Sequence, residues 1–83
     1  MPNRKASAHR PLPPAIAQRL ATTLRATREN AAMTQEATAS AAGVSVQMIR
    51  RLEAGTANPT LGTLHAVAGA LDTNMVVLLQ STV

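Results

Sequence analysis

The sequence predicts an all-α domain, a compact bundle of four to five short helices closed by one C-terminal strand, and three observations carry that reading. Apolar residues recur at helical spacing in separate stretches, as in Ile16, Leu20 and Leu24 and again in Leu61, Leu64, Val67, Ala68 and Leu71. Between those stretches, hydroxyl residues that suit helix starts alternate with glycines that suit helix ends, in the order Thr34, Gly43, Ser45, Gly55, Thr60. Finally, a turn-prone Asp72-Thr73-Asn74 precedes five consecutive apolar residues, two of them β-branched. A short apolar run with such a boundary fits a buried strand over 75–80 better than an amphipathic helix.

Eighty-three residues are expected to make one domain. A chain this short buries only about 60% of its unfolded surface, so its monomer should be marginal. There is no Phe, Trp or Tyr, and the core must be assembled from Ala, Val, Leu, Ile and Met, which bury less area each. A partner subunit would help. Without cysteine, neither a disulfide scaffold nor a zinc finger is available. Two histidines, four acids and no thiol form no nucleophilic, acid–base or metal constellation, so no enzyme, cofactor or metal site is expected. No long apolar run or signal-peptide core addresses the chain to a membrane, and a cytoplasmic location is expected. The net charge of +4 and a pI near 11.6 suit a polyanionic partner. Most of that excess lies in residues 1–12, which hold Arg4, Lys5 and Arg10 and no acid, whereas the remainder sets five arginines against four acids.

Residues 1–12, polar and interrupted by Pro2 and Pro11, read as a disordered basic arm, and 13–83 as the folded domain. A first helix starts at Pro13-Pro14, where proline is tolerated, carries Ile16, Leu20, Leu24 and Thr27 on one face and reaches about Asn30. Arg19 and Arg25 are read as solvated. Met33 begins the link to a second helix that Thr34 caps, with Glu36 in its positive first turn. Its Ala37, Ala39, Ala41 and Ala42 permit a close helix crossing. Gly43 stops that helix, Ser45 caps a third, and Gly55 with Asn58-Pro59 ends it. Helix, glycine turn and helix make a helix-turn-helix.

On a wheel of the third helix, Ile49, Leu52, Glu53 and the Ser45 cap fall on one side and Gln47, Arg50, Arg51 and Ala54 on the other. The outward face is long, cationic and amide-bearing, with two residue types suited to base edges in a major groove. Val44, Ile49 and Leu52 plug the angle between the two helices, and Met48 is read as core edge. Thr60 caps a fourth helix whose apolar face holds Leu61, Leu64, Val67, Ala68 and Leu71. His65, beside that face, is read as a partly buried histidine rather than a metal ligand.

Thr34-Gln35-Glu36, Gly43-Val44-Ser45 and Ile49-Arg50-Arg51-Leu52-Glu53-Ala54-Gly55, flanked by Leu24-Arg25 and Arg28-Glu29 before and by Asn58-Pro59-Thr60-Leu61 and Leu64 to Ala70-Leu71 after, carry a resemblance. The chain resembles the xenobiotic-response-element (XRE) family of helix-turn-helix regulators, that of the lambda-type phage repressors. The resemblance implies a lambda-repressor-like bundle, double-stranded DNA as partner, and most simply a dimeric repressor reading a palindromic operator with residues 46–54. The DNA-binding candidates are then Ser45, at the start of the reading helix, Gln35, its amide and helix terminus against a phosphate, and Val46 and Gln47 at base edges or a thymine methyl. Arg51 would read guanine and Arg50 serve bases or backbone. Asn58 matches a family position near the DNA backbone and is otherwise a turn residue before proline. Arg4, Lys5 and Arg10 would lie along phosphates or in a minor groove, or else form a solvated tail. Arg28 and Glu53 match a structural ion pair of the family. One departure is Thr38, where the family usually has a core leucine.

The other departure is the run after Leu71. A lone strand would expose unpaired backbone, and its simplest cover is its own copy. Antiparallel pairing of Met75, Val76, Val77, Leu78 and Leu79 across a two-fold axis would give a homodimer and set two recognition helices about 34 to 36 Å apart, one DNA turn. That ending is similar to the antitoxins of Hip-type toxin–antitoxin operons. The alternative function is therefore an antitoxin that binds a toxin protein and autorepresses its operon.

Overall fold

The computed structural model describes residues 11–80, so residues 1–10 of the basic arm, with Arg4, Lys5 and Arg10, lie outside the described residues. Helix α1 (Pro14–Asn30) starts behind Pro13, whose carbonyl accepts from Ile16 and Ala17, and buries Ala17, Leu20, Ala21, Thr23 and Leu24. Its C-terminal turn is closed by Met33 N–H donating to the Arg28 carbonyl at 3.2 Å, with Ala32 held at φ 56°. Four further helices follow: α2 (Gln35–Ala42), α3 (Val46–Ala54), α4 (Leu61–Ala70) and α5 (Met75–Leu79). The described chain is all-helical.

Helix α3 packs between α1 and α2, α2 also packs on α4, and α5 closes the bundle against α1 and α4. One core joins them: Leu20 and Leu24 of α1, Ala39 of α2, Ile49 and Leu52 of α3, Leu64, Val67, Ala68 and Leu71 from α4 and its end, and Leu78 of α5. Met33, Val44 and Met48 pack around its edge. Thr38, in the place of a core leucine, is fully buried, but its hydroxyl donates to the Thr34 carbonyl at 3.0 Å. The polar atom is satisfied within its own helix, so the interior accepts it.

The expected C-terminal strand is a helix. Residues 75–79 form a single turn, started by Asn74, whose Oδ1 accepts from Val77 N–H at 3.1 Å while its carbonyl accepts from Leu78 at 3.3 Å. The reason is packing: one helical turn puts Met75 and Leu78, three residues apart, on the core side together, which a strand's alternation does not. Leu78 is fully buried, and that tertiary contact overrides the strand preference of Val76 and Val77. Antiparallel strand pairing through Met75, Val76, Val77, Leu78 and Leu79 is therefore ruled out as drawn, since Leu78 is consumed by its own core. Val76, Val77 and Leu79 remain exposed.

Three smaller expectations also change. Ile16 and Leu61, assigned to buried faces, are exposed, because each sits in the first turn of its helix beyond the edge of the core. His65 is exposed rather than partly buried.

Candidate nucleic-acid interface

The α2–turn–α3 unit is held by local chemistry at each end. Thr34 Oγ1 accepts from Ala37 N–H at 2.9 Å and starts α2. Gly43, at φ 70°, lets Val44 N–H fold back on the Ala39 carbonyl at 3.0 Å, and Ser45 Oγ accepts from Met48 N–H at 3.1 Å to start α3. Gly55, at φ 75°, repeats the closure, with Thr56 N–H on the Arg51 carbonyl at 3.0 Å. Gly55 also lies close to α1, where a Cβ would stand 3.3 Å from Gln18 Oε1.

Inside the unit, Ile49 and Leu52 are sealed from water. That fixes the rotation of α3 and so decides what faces out. Gln47, Arg50 and Arg51 are exposed together on the outward side. Val46 is half-buried with its side chain against the core, and Ser45 is exposed at the helix start with its hydroxyl committed to the cap. Asn58 is exposed in the loop between α3 and α4. Arg51 stands at the C-terminal turn of α3, where its charge also suits the helix dipole.

Arg28 and Glu53 meet across α1 and α3 in a two-pronged ion pair. Arg28 Nε donates to Glu53 Oε2 at 2.6 Å and Nη2 to Oε1 at 3.1 Å, with side-chain exposures of 12% and 5%. The third prong, Nη1, donates to the Met33 carbonyl at 2.8 Å and so holds the link between α1 and α2. Hydrogen bonding to Glu53 raises the Arg28 guanidinium above its ordinary range, outweighing the opposing effect of burial.

Two contacts escape a reading of the sequence. Gln35, half-buried at the first position of α2, donates its amide Nε2 to Glu53 Oε1 at 3.1 Å. Glu36, read only as a dipole partner, lies 3.4 Å from Arg50 Nη2 in an exposed pair across α2 and α3. Both join residues 14 or 18 positions apart, which no local pattern reports.

These features coincide with a known architecture. The helix-turn-helix family HTH_3 matches residues 24–78. The chain belongs to this family. Among solved structures, an HTH_3 family transcriptional regulator from Vibrio cholerae superposes with a TM-score of 0.74 at 28% identity, covering 78% of this chain and 36% of that one. A hypothetical transcription factor NHTF from Neisseria superposes with a TM-score of 0.77 at 25% identity, covering 81% of this chain and 77% of that one. The chain thus spans about a third of the Vibrio regulator. None of the curated proteins matches the sequence. The HTH_3 match runs from Leu24, inside α1, to Leu78 in α5, so it takes in the whole α2–α3 unit and the buried residue of the last helix. Among the described residues, no helix is long and apolar enough to cross a membrane.

Proposed function

We propose that the protein is a sequence-specific DNA-binding transcriptional regulator, a dimeric repressor that reads a palindromic operator with α3. One observation carries the reading: Ile49 and Leu52 lock the inner side of α3, so that Gln47, Arg50 and Arg51 stand outward on a helix of the HTH_3 fold. Gln47 and Arg51 meet base edges, where glutamine pairs with adenine and arginine with guanine. Gln35 and Asn58 serve the flanking backbone, Arg50 bases or backbone, and Val46 a thymine methyl or base edge, with Ser45 at the start of the reading helix. Arg4, Lys5 and Arg10 add phosphate contacts from the arm.

The homodimer in this reading uses side chains of a helix rather than a strand. Val76, Val77 and Leu79 are exposed on α5, and Ile16 is exposed on α1, against which α5 packs; these apolar side chains are what the proposal offers to a second copy. The antitoxin reading loses the apolar strand that favoured it, because that segment is helical.

Selection of bound sites from a random duplex library tests the function, with a palindromic motif as the expected result. Gln47→Ala and Arg51→Ala should each cost about 1 to 3 kcal/mol on the selected duplex and much less on a scrambled one. Equal losses on both duplexes would refute base reading by α3.

A further inference from the structure

Glu53 does more than balance Arg28. Its Oε1 accepts two bonds at once, from Arg28 Nη2 at 3.1 Å and from Gln35 Nε2 at 3.1 Å, while Oε2 accepts from Arg28 Nε. A carboxylate only accepts, so the Gln35 amide has to turn its NH2 group toward Glu53, and this fixes which way the amide faces. That group carries two hydrogens. One is taken by Glu53, and trigonal geometry directs the other away from it. Gln35 is half-buried at the start of α2, beside exposed Glu36, so the residue lies at the edge of the protein surface.

We propose that Glu53 is a positioning residue for DNA binding: it holds the Gln35 amide so that the second N–H donates to a phosphate oxygen of the bound duplex. The inference rests on the DNA-binding reading above. Arg28 is a necessary part, because its guanidinium offsets the carboxylate charge that would otherwise stand one side chain away from a phosphate. Glu53 also belongs to α3 and Gln35 to α2, so a single carboxylate sets the backbone contact of one helix relative to the base-reading face of the other. A misplaced amide would shift the register of phosphate contacts without changing the residues that read bases.

The test uses the full chain and the duplex selected from the random library, with single phosphates replaced by uncharged methylphosphonates. At one phosphate of each half-site, replacement should weaken the unaltered protein by about tenfold, the worth of one hydrogen bond to a charged group. Gln35→Ala should show the same loss on the natural backbone and be indifferent to that replacement. Glu53→Gln keeps the size of the side chain but removes the shared anionic acceptor. Measured below its melting transition, it should lose the sensitivity at that phosphate and keep the base preference of the unaltered protein. A folded Glu53→Gln protein with full sensitivity there would overturn the positioning role. A second measurement needs no variant: in the side-chain amide spectrum of the unaltered protein, duplex binding should move one Gln35 NH2 proton and leave its Glu53-bonded neighbour in place. Saturation with duplex that moves neither proton overturns the inference while leaving DNA binding intact. A full chain that binds no duplex at all fails earlier, and takes the functional reading with it.

Discussion

Between Thr34 and Gly55, each helix end is set by a residue acting on its own neighbours, whereas between Leu71 and Gln80 the conformation is decided by one distant contact. Thr34 and Ser45 accept from amides three residues on, and Gly43 and Gly55 take the left-handed turn, all within a few residues. In the C-terminal segment Asn74 also caps, but the five apolar residues by themselves favour a strand. Only Leu78, reaching a core built from the other helices, settles the choice. Local chemistry is visible in a sequence; a plug into a distant core is not.

The largest expected effect separates the faces of that last helix. Leu78→Ala removes a fully buried side chain and should cost up to about 4 kcal/mol, a large part of the stability of so small a domain. Val76→Ala, at 62% exposure, should change stability by less than about 0.5 kcal/mol. Urea unfolding of both variants checks the contrast. In a strand, positions 76 and 78 would share a face, so comparable losses at both would restore the strand.

Next in size is Glu53→Ala, which strands the Arg28 guanidinium in a site only 12% open and should cost about 3 kcal/mol. Arg28 is held above its ordinary range by Glu53, so its contribution is fully present below that range and lost only as pH rises through the raised value. The loss on Glu53→Ala should therefore be the same from about pH 7 to about pH 10, which thermal melts across that interval would show. A loss that shrinks across the interval would mean that another group carries the pairing.

Most of the fold was legible because its signals are short-range. The bounds of α1, both caps of the helix-turn-helix, the two glycines and the outward set Gln47, Arg50 and Arg51 follow from spacing and capping chemistry. Ile16 and Leu61 show the limit of spacing. Periodicity names the side of a helix, but not where along it the core ends, and both lie in first turns outside the core. In the helix-turn-helix, residue types announced the outward polar face of α3, while the Gln35–Glu53 and Arg50–Glu36 contacts depend on how α2 crosses α3. No residue type encodes a crossing angle by itself.

A smaller effect distinguishes the two glycines of the helix-turn-helix. Both are left-handed, so an alanine at either position is strained by about 1 kcal/mol. At Gly43 nothing lies within 4 Å of a new Cβ, and the conformational term should be the whole cost. At Gly55 the new Cβ would meet Gln18 Oε1 at 3.3 Å and backbone of Ala17 at 3.8 Å. Gly55→Ala should thus exceed Gly43→Ala in unfolding measurements, and equal costs would mean that Gln18 simply swings aside.

The smallest effect runs in the opposite direction and lies outside the helix-turn-helix. Ala32 closes α1 at φ 56°, a left-handed position that the glycines fill at the ends of α2 and α3. Its N–H donates to the Glu29 carbonyl at 3.0 Å, and the Met33 carbonyl that follows is gripped by Arg28. The surrounding bonds therefore hold the alanine in a conformation its Cβ disfavours. Removing that Cβ relieves the strain, offset in part by the greater freedom glycine gives the unfolded chain. Ala32→Gly should stabilise the domain by about 0.5 to 1 kcal/mol. The same substitution at Ala31, which lies in the right-handed helical region at φ −82° and ψ 0°, should bring no gain. Thermal melts of the two variants side by side decide the point, because a gain at Ala31 as large as that at Ala32 would show that left-handed strain is not its source.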